Sequence, residues 1–255
     1  MEFLKPNKRK TLVSETVYVI MNILLAIGVL ALVHLFESPL PAFALILLSK
    51  WRVLAVRPHF WAANIIANAI DIILGLSFVV YLLATDSLAV QIGLTILYIG
   101  WLLLLKPKSK RRFVVLQAAL GLFFGVGALM HISYGWIASL VVLAMWIIGY
   151  ASARHVLTAY KEPHFSLLSL IWAFIIAELG WIAYHWTIVY DLQLLGGLKL
   201  PQIALIVLFL GFLAERTYAS YHAHKTVRLN DVLLPALLTI SSITLLIVLF
   251  NGIKT

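Results

Sequence analysis

Gly28-Val29-Leu30-Ala31-Leu32-Val33-His34-Leu35 closes an apolar run that begins near Val13, and the same order returns as Gly125-Val126-Gly127-Ala128-Leu129-Met130-His131-Ile132. A bilayer crossing needs about 20 apolar residues, and each octet ends a run of that size. The chain reads as a membrane protein with duplicated halves. Downstream matches keep the same order: Val53-Leu54 returns as Val156-Leu157, Pro58-His59-Phe60 as Pro163-His164-Phe165, Gly75 as Gly180 and Asp86 as Asp191. Gln91-Ile92-Gly93-Leu94 then corresponds to Gln202-Ile203-Ala204-Leu205. Leu97-Tyr98-Ile99-Gly100-Trp101-Leu102 corresponds to Leu208-Phe209-Leu210-Gly211-Phe212-Leu213. Leu and Ile matches are cheap in so apolar a chain, so the weight rests on His, Pro, Gln, Gly and Asp.

Composition agrees with that setting. The 255 residues are 63% hydrophobic and 11% charged, with a mean hydropathy of +1.04; soluble chains carry about 25% charged residues. No segment between apolar runs is long enough for a soluble domain. Cysteine is absent, which excludes disulfides and thiolate metal sites. Lys5 to Lys10 precede a first run too long for a secretory signal, with no small-residue cleavage site after it, so an uncleaved first helix is expected. A net charge of +9 could suggest nucleic acid, but its confinement to the ends of apolar runs makes it a topology signal instead.

The runs predict an all-α fold of nine transmembrane helices near 13–36, 39–57, 59–84, 88–105, 113–131, 134–153, 166–190, 201–221 and 231–250. The second is the doubtful one, with a re-entrant segment as its alternative, and the positive-inside rule arbitrates. If it crosses, Lys50, Arg52 and Arg57, then Lys106 to Arg112, Arg154 and Lys161, and Arg216, Lys225 and Arg228 all lie inside. Only Lys199 and Lys254 fall outside. The N-terminus is then expected inside and the C-terminus outside, with residues 1–112 and 113–228 as two four-helix repeats and 229–255 as a ninth helix. Four crossings per copy make the repeat parallel, about an axis along the membrane normal.

Intramembrane carboxyls are costly, so they mark where to look for a site. On a helix over 59–84, Asp71 shares a face with Asn64, Asn68 and Gly75, one polar stripe with a small residue. Glu178, with His185 two turns later on the same face, is the second such carboxyl. These five polar residues, Asn64, Asn68, Asp71, Glu178 and His185, are the candidate lining of an ion or small-molecule pathway between the halves. The alternative is a hydrogen-bonded lock between helices. Glu215 and His222 are secondary polar candidates, with Glu215 and Arg216 expected as an interfacial ion pair. Trp51, Trp61, Trp101 and Tyr160 read as interface belts.

The repeat pairs His34 with His131 and His59 with His164, one pair toward each surface. Imidazole pairs of that kind could ligate haem for electron transfer, although a histidine after a proline at a helix start is ordinary. Beyond that alternative no cofactor is expected. No H-E-x-x-H, G-x-S-x-G, P-loop or G-x-G-x-x-G signature occurs, so no catalytic residue is assigned. Gly75-Leu76-Ser77 only weakly matches the nucleophile turn of intramembrane serine proteases. Basic inner loops would attract anionic lipid head groups whatever the function.

Ser49-Lys50-Trp51-Arg52-Val53-Leu54-Ala55-Val56-Arg57-Pro58 and Ala177-Glu178-Leu179-Gly180-Trp181 resemble segments of uncharacterised multi-pass proteins of candidate-phyla bacteria, the Saccharibacteria (Patescibacteria) type. The resemblance covers most of the chain and implies a bacterial cytoplasmic membrane, with no activity attached. The sequence reading is therefore a permease-like bundle of unknown substrate. A haem-bearing electron carrier or enzyme and a scaffold without small-molecule activity stand as alternatives.

Overall fold

A computed structural model describes residues 8–36, 38–193 and 196–249; Lys5 and Lys254 fall outside them. The fold is all-α, and among the described residues seven helices are long and apolar enough to cross a membrane. They are α1 (Lys8–Leu35), α6 (Leu88–Gly100) with its continuation to Leu105, α7 (Arg111–Ile132), α8 (Ala138–Ala159), α9 (Phe165–His185), α10 (Gln202–His224) and α11 (Leu229–Leu249). Two expected crossings come out differently.

Residues 39–57 do not make a full span. Helix α2 (Leu40–Ser49) has ten residues, about 15 Å of rise against about 30 Å of hydrocarbon. It ends at Lys50, and a four-residue helix α3 (Trp51–Leu54) follows. Arg57 is then extended (φ −57°, ψ 138°) ahead of Pro58, as the residue before a proline prefers.

Residues 59–84 are not one helix either. A single 3₁₀ turn (Pro58–Phe60) leads into α4 (Trp61–Ala67), which meets α5 (Ala69–Leu83) at 64°. The break falls at Asn68. Its side-chain amide donates to the Asn64 carbonyl at 2.8 Å, a local bond of the kind that competes with the helical ladder. The bend removes the continuous stripe expected from the spacing: Asn64 turns its amide to the Val53 carbonyl (3.3 Å), away from Asp71.

The helices pack in two groups. In the first, α1, α2, α5 and α6 close around Ile46, Leu74, Phe78, Tyr98 and Leu102. In the second, α7, α8, α9 and α10 close around Val126, Met145, Ile148, Ile176 and Val207. Helices α5 and α7 join the groups, with Gly121 under Ile70 and Gly125 under Ile73. The tightest pairing is α8 with α9. A Cβ at Gly180 would sit 2.5 Å from Met145 Cγ, and one at Gly149 would sit 2.8 Å from Ile176 Cβ, so only hydrogen allows the approach.

Between α9 and α10 the chain forms a short antiparallel hairpin, β1 (Val189–Leu192) and β2 (Leu198–Pro201), with Tyr190 opposite Leu200. The sequence reading had continued the seventh helix to residue 190, but α9 ends at His185. The hairpin seats on the turn after α5, where Thr85 Oγ1 donates to the Gly196 carbonyl at 3.2 Å. Helix α11 packs on α10, with Gln202 donating to the Leu246 carbonyl and Thr239 to that of Phe209.

Candidate functional sites: a buried ion cluster and an apolar cavity

Asp71 lies in the first turn of α5, just past the bend, and is buried. Burial of a carboxylate demands partners, and it has three. Lys50 Nζ lies 2.5 Å from Asp71 Oδ2, Lys106 Nζ lies 2.8 Å from the same oxygen, and Trp101 Nε1 donates to Oδ1 at 3.3 Å. Local backbone geometry brings these groups in. Lys50 is the residue at which α2 stops. Trp101 and Lys106 are five residues apart, about 140° around an α-helix. A π turn over Trp101–Leu105, closed by the Lys106 amide on the Trp101 carbonyl (2.9 Å), narrows that angle and sets both on Asp71.

The Lys50 side chain is 8% exposed, that of Asp71 10% and that of Lys106 29%, so only Lys106 has a path toward water. This arrangement ties the ends of α2 and α6 to the start of α5.

The other sequence candidates lie elsewhere. Glu178 and His185 do not face the bundle interior; both lie on the exposed side of α9. The burial argument placed Glu178 inward because it assumed that this one chain must cover every intramembrane carboxyl. His34, His59 and His164 are exposed. His131 is partly buried, with Nδ1 3.0 Å from the Gly127 carbonyl and its ring 5.4 Å from that of Tyr81. Among the described residues no cluster of three or more His, Asp or Glu could hold a metal ion. Ser77 bonds back to the Ile73 carbonyl at 2.7 Å, which occupies its hydroxyl within its own helix.

A second site lies inside the α7–α10 group. A cavity of about 530 Å³ is walled by Ala118 and Leu122 of α7, Ser152 and Ala153 of α8, Trp172 of α9, and Phe209 and Phe212 of α10, with Leu238 of α11 at its edge. That volume falls in the range of about 300–1,000 Å³ typical of small-molecule sites. Its wall is apolar except for Ser152, whose hydroxyl bonds back to the Gly149 carbonyl, and the end of α10, where Glu215, Arg216 and Tyr218 enter. The Tyr160 hydroxyl donates to Glu215 Oε1 at 2.8 Å, and Arg216 Nε lies 3.7 Å from Glu215 Oε2, the pair expected from sequence.

Around that end the Tyr160 ring is covered by the Arg111 guanidinium at 4.7 Å and by His222 at 5.1 Å. Tyr218 donates to Glu162, whose carboxyl is held below the usual carboxylate range by that hydroxyl and by the His164 amide. Trp101 and Tyr160, read from sequence as interface belts, are both buried. Trp51 and Trp61 are exposed, as expected.

Sequence reasoning missed the partners more than the carboxyls. Lys50 and Lys106 were counted as inner-loop charges, and the signal that could have found them was Asp71 itself, which needed a cation. Gln117 was also missed. Its amide nitrogen donates to the Leu105 and Lys108 carbonyls at 2.6 and 3.0 Å, and its oxygen meets His155 Nε2 at 2.8 Å. It thereby fastens the loop between the two helix groups. No protein-family model, characterised protein or solved structure matches the chain.

Proposed function

We propose that the protein is a multi-pass membrane protein of the carrier or permease type, whose second helix group takes up the apolar part of a lipid-like molecule. The observation that carries this reading is the apolar cavity with its single polar end at Glu215, Arg216 and Tyr218. Away from that end the wall offers no partner to a solvated ion and a full set of contacts to a hydrocarbon or isoprenoid chain. The polar pathway through Asn64, Asn68, Asp71, Glu178 and His185 is set aside, because Asp71 is fully paired and Glu178 faces outward.

The duplication read from sequence helps to explain why one half is open. Within each group the helices touch in the same cycle: α1–α2–α5–α6 and back to α1, then α7–α8–α9–α10 and back to α7. Matched glycines meet matched helices. Gly28 faces Leu45 as Gly125 faces Ile148, and Leu45 precedes Val53 by the same eight residues as Ile148 precedes Val156. Gly75 faces Ile46 of α2 as Gly180 faces Met145 of α8.

In this correspondence Lys50 aligns with Ala153, Asp71 with Ile176 and Trp101 with Phe212. Ala153 and Phe212 both line the cavity. The ion cluster of the first half and the cavity of the second thus share two of three aligned positions, Ile176 packing instead against Gly149: the first place is filled and holds the frame, the second borders a space free for a ligand. Lys50 at the end of α2 and Lys106 past the end of α6 meet at Asp71, so α2 and α5 together run out and back and leave the seven long helices to set the parity. This supports a C-terminus on the side opposite the N-terminus, and the resemblance to candidate-phyla proteins supports a bacterial cytoplasmic membrane.

The test is native mass spectrometry of the full chain extracted in mild detergent. A bound amphiphile is expected on the wild type and is expected to be lost in Ala153→Phe, which fills the cavity. A wild type without any bound amphiphile, or one that survives Ala153→Phe, would overturn the reading in favour of a scaffold.

A further inference from the structure

Glu178 is out of place. It is an exposed carboxylate thirteen residues after the start of α9 at Phe165 and seven before its end at His185. Its surroundings on α9 are apolar: Ile171, Phe174 and Ile182 are each at least half exposed on the same side. An ionisable group facing lipid at that depth is costly, and such groups are found paired or facing protein. The remaining polar groups of that face are donors. Trp181 is 52% exposed, and its ring stands 4.8 Å from that of His185, one turn further on. The exposed large hydrophobic side chains of α11, by contrast, are all aliphatic, with Asn230 and Asp231 at its start and Ser241 and Thr244 as its exposed polar residues.

We propose that this face of α9 is the contact between two copies of the chain, related by a twofold axis along the membrane normal. The choice of a second copy rests on self-complementarity. One stripe carries an acceptor, Glu178, and a donor three residues later, Trp181, about 4.5 Å along the helix, so a symmetric parallel pair satisfies both reciprocally. Each Glu178 carboxylate then accepts from the Trp181 indole of the other copy, His185 backs its own Trp181, and Phe174 and Ile171 pack across the axis. Because α9 is also pinned to α8 through Gly149 and Gly180, the contact sits on a rigid element.

The absence of cysteine makes the proposal directly testable. Single-cysteine variants Phe174→Cys, Glu178→Cys and Ile182→Cys, with Leu237→Cys on α11 as control, are oxidised in native membranes. A disulfide requires Cα atoms within about 7 Å, so only positions beside the axis can report. Dimer bands are expected from at least one α9 position and none from Leu237→Cys. No dimer from any α9 position, equal dimer from the control, or cross-linking to a different protein would overturn the proposal. Independently, the mass of the complex in detergent is expected to be that of a dimer for Glu178→Gln, whose amide still accepts, and of a monomer for Glu178→Lys. A Glu178→Lys protein that remains dimeric would contradict the role given to the carboxylate.

Discussion

Two ammonium groups converge on one oxygen of Asp71, so deleting the carboxylate leaves both lysines facing each other in a dry site. Removing one partner of a buried pair typically costs about 3–5 kcal/mol. Asp71→Asn is expected to lose about that much stability in detergent unfolding, and Lys106→Met less, because Lys106 is the most exposed of the three. Lys50→Met combined with Asp71→Leu is expected to recover most of the loss, since it replaces the buried charges by packing. An Asp71→Asn protein as stable as the wild type would contradict the lock. At the polar end of the cavity, the depressed Glu162 carboxyl works in the usual acidic sense. Its contact with Tyr218 is fully present above the ordinary carboxylate range and is lost as pH falls through the lowered value. Tyr218 fluorescence or hydrogen exchange at the α8–α9 turn should follow that transition, and Glu162→Gln should abolish it. Asp71 was legible in the sequence as a buried group because charge in a bilayer is costly. Its partners were not, because lysines 21 residues before it and 35 after it look like loop charges until the fold closes. Glu178 was misread by the same cost argument, which locates a covered group but does not say which molecule covers it.

At the level of elements, the long apolar helices follow from run length alone, and those expectations hold for α1 and for α6 through α11. The failures share a cause. Helix α2 and the α4–α5 break depend on side-chain and proline effects at Lys50, Pro58 and Asn68 that hydropathy averages away. The two glycines of the α8–α9 pair appeared in the sequence only as one repeat match and one unremarked residue. Their packing gives a further expectation. Gly180→Val forces a side chain into Met145 and should cost about 1–3 kcal/mol by overpacking, read as earlier loss of helicity on titration with SDS. Met145→Ala in the same chain should restore part of it. A Gly180→Val protein with unchanged SDS resistance would mean that α8 and α9 are not held at this distance.

For the whole molecule, the sequence made legible that apolar helices dominate, and the structure groups α1, α2, α5 and α6 apart from α7, α8, α9 and α10. What could not be read is that one group is packed around the Lys50–Asp71–Lys106 cluster while the other carries a cavity, because both depend on side chains far apart in sequence. Trp172 lies on the cavity wall and can report directly on its contents. The chain is reconstituted in bilayers whose acyl chains carry bromine, a quencher of indole fluorescence. The emission of Trp172 is obtained as the difference between wild type and Trp172→Phe. If a lipid-like chain enters the α7–α10 cavity, that emission is quenched in the wild-type background and recovers in Ala153→Phe. Trp172 emission that stays unquenched in brominated bilayers, or quenching that Ala153→Phe leaves unchanged, would contradict ligand entry.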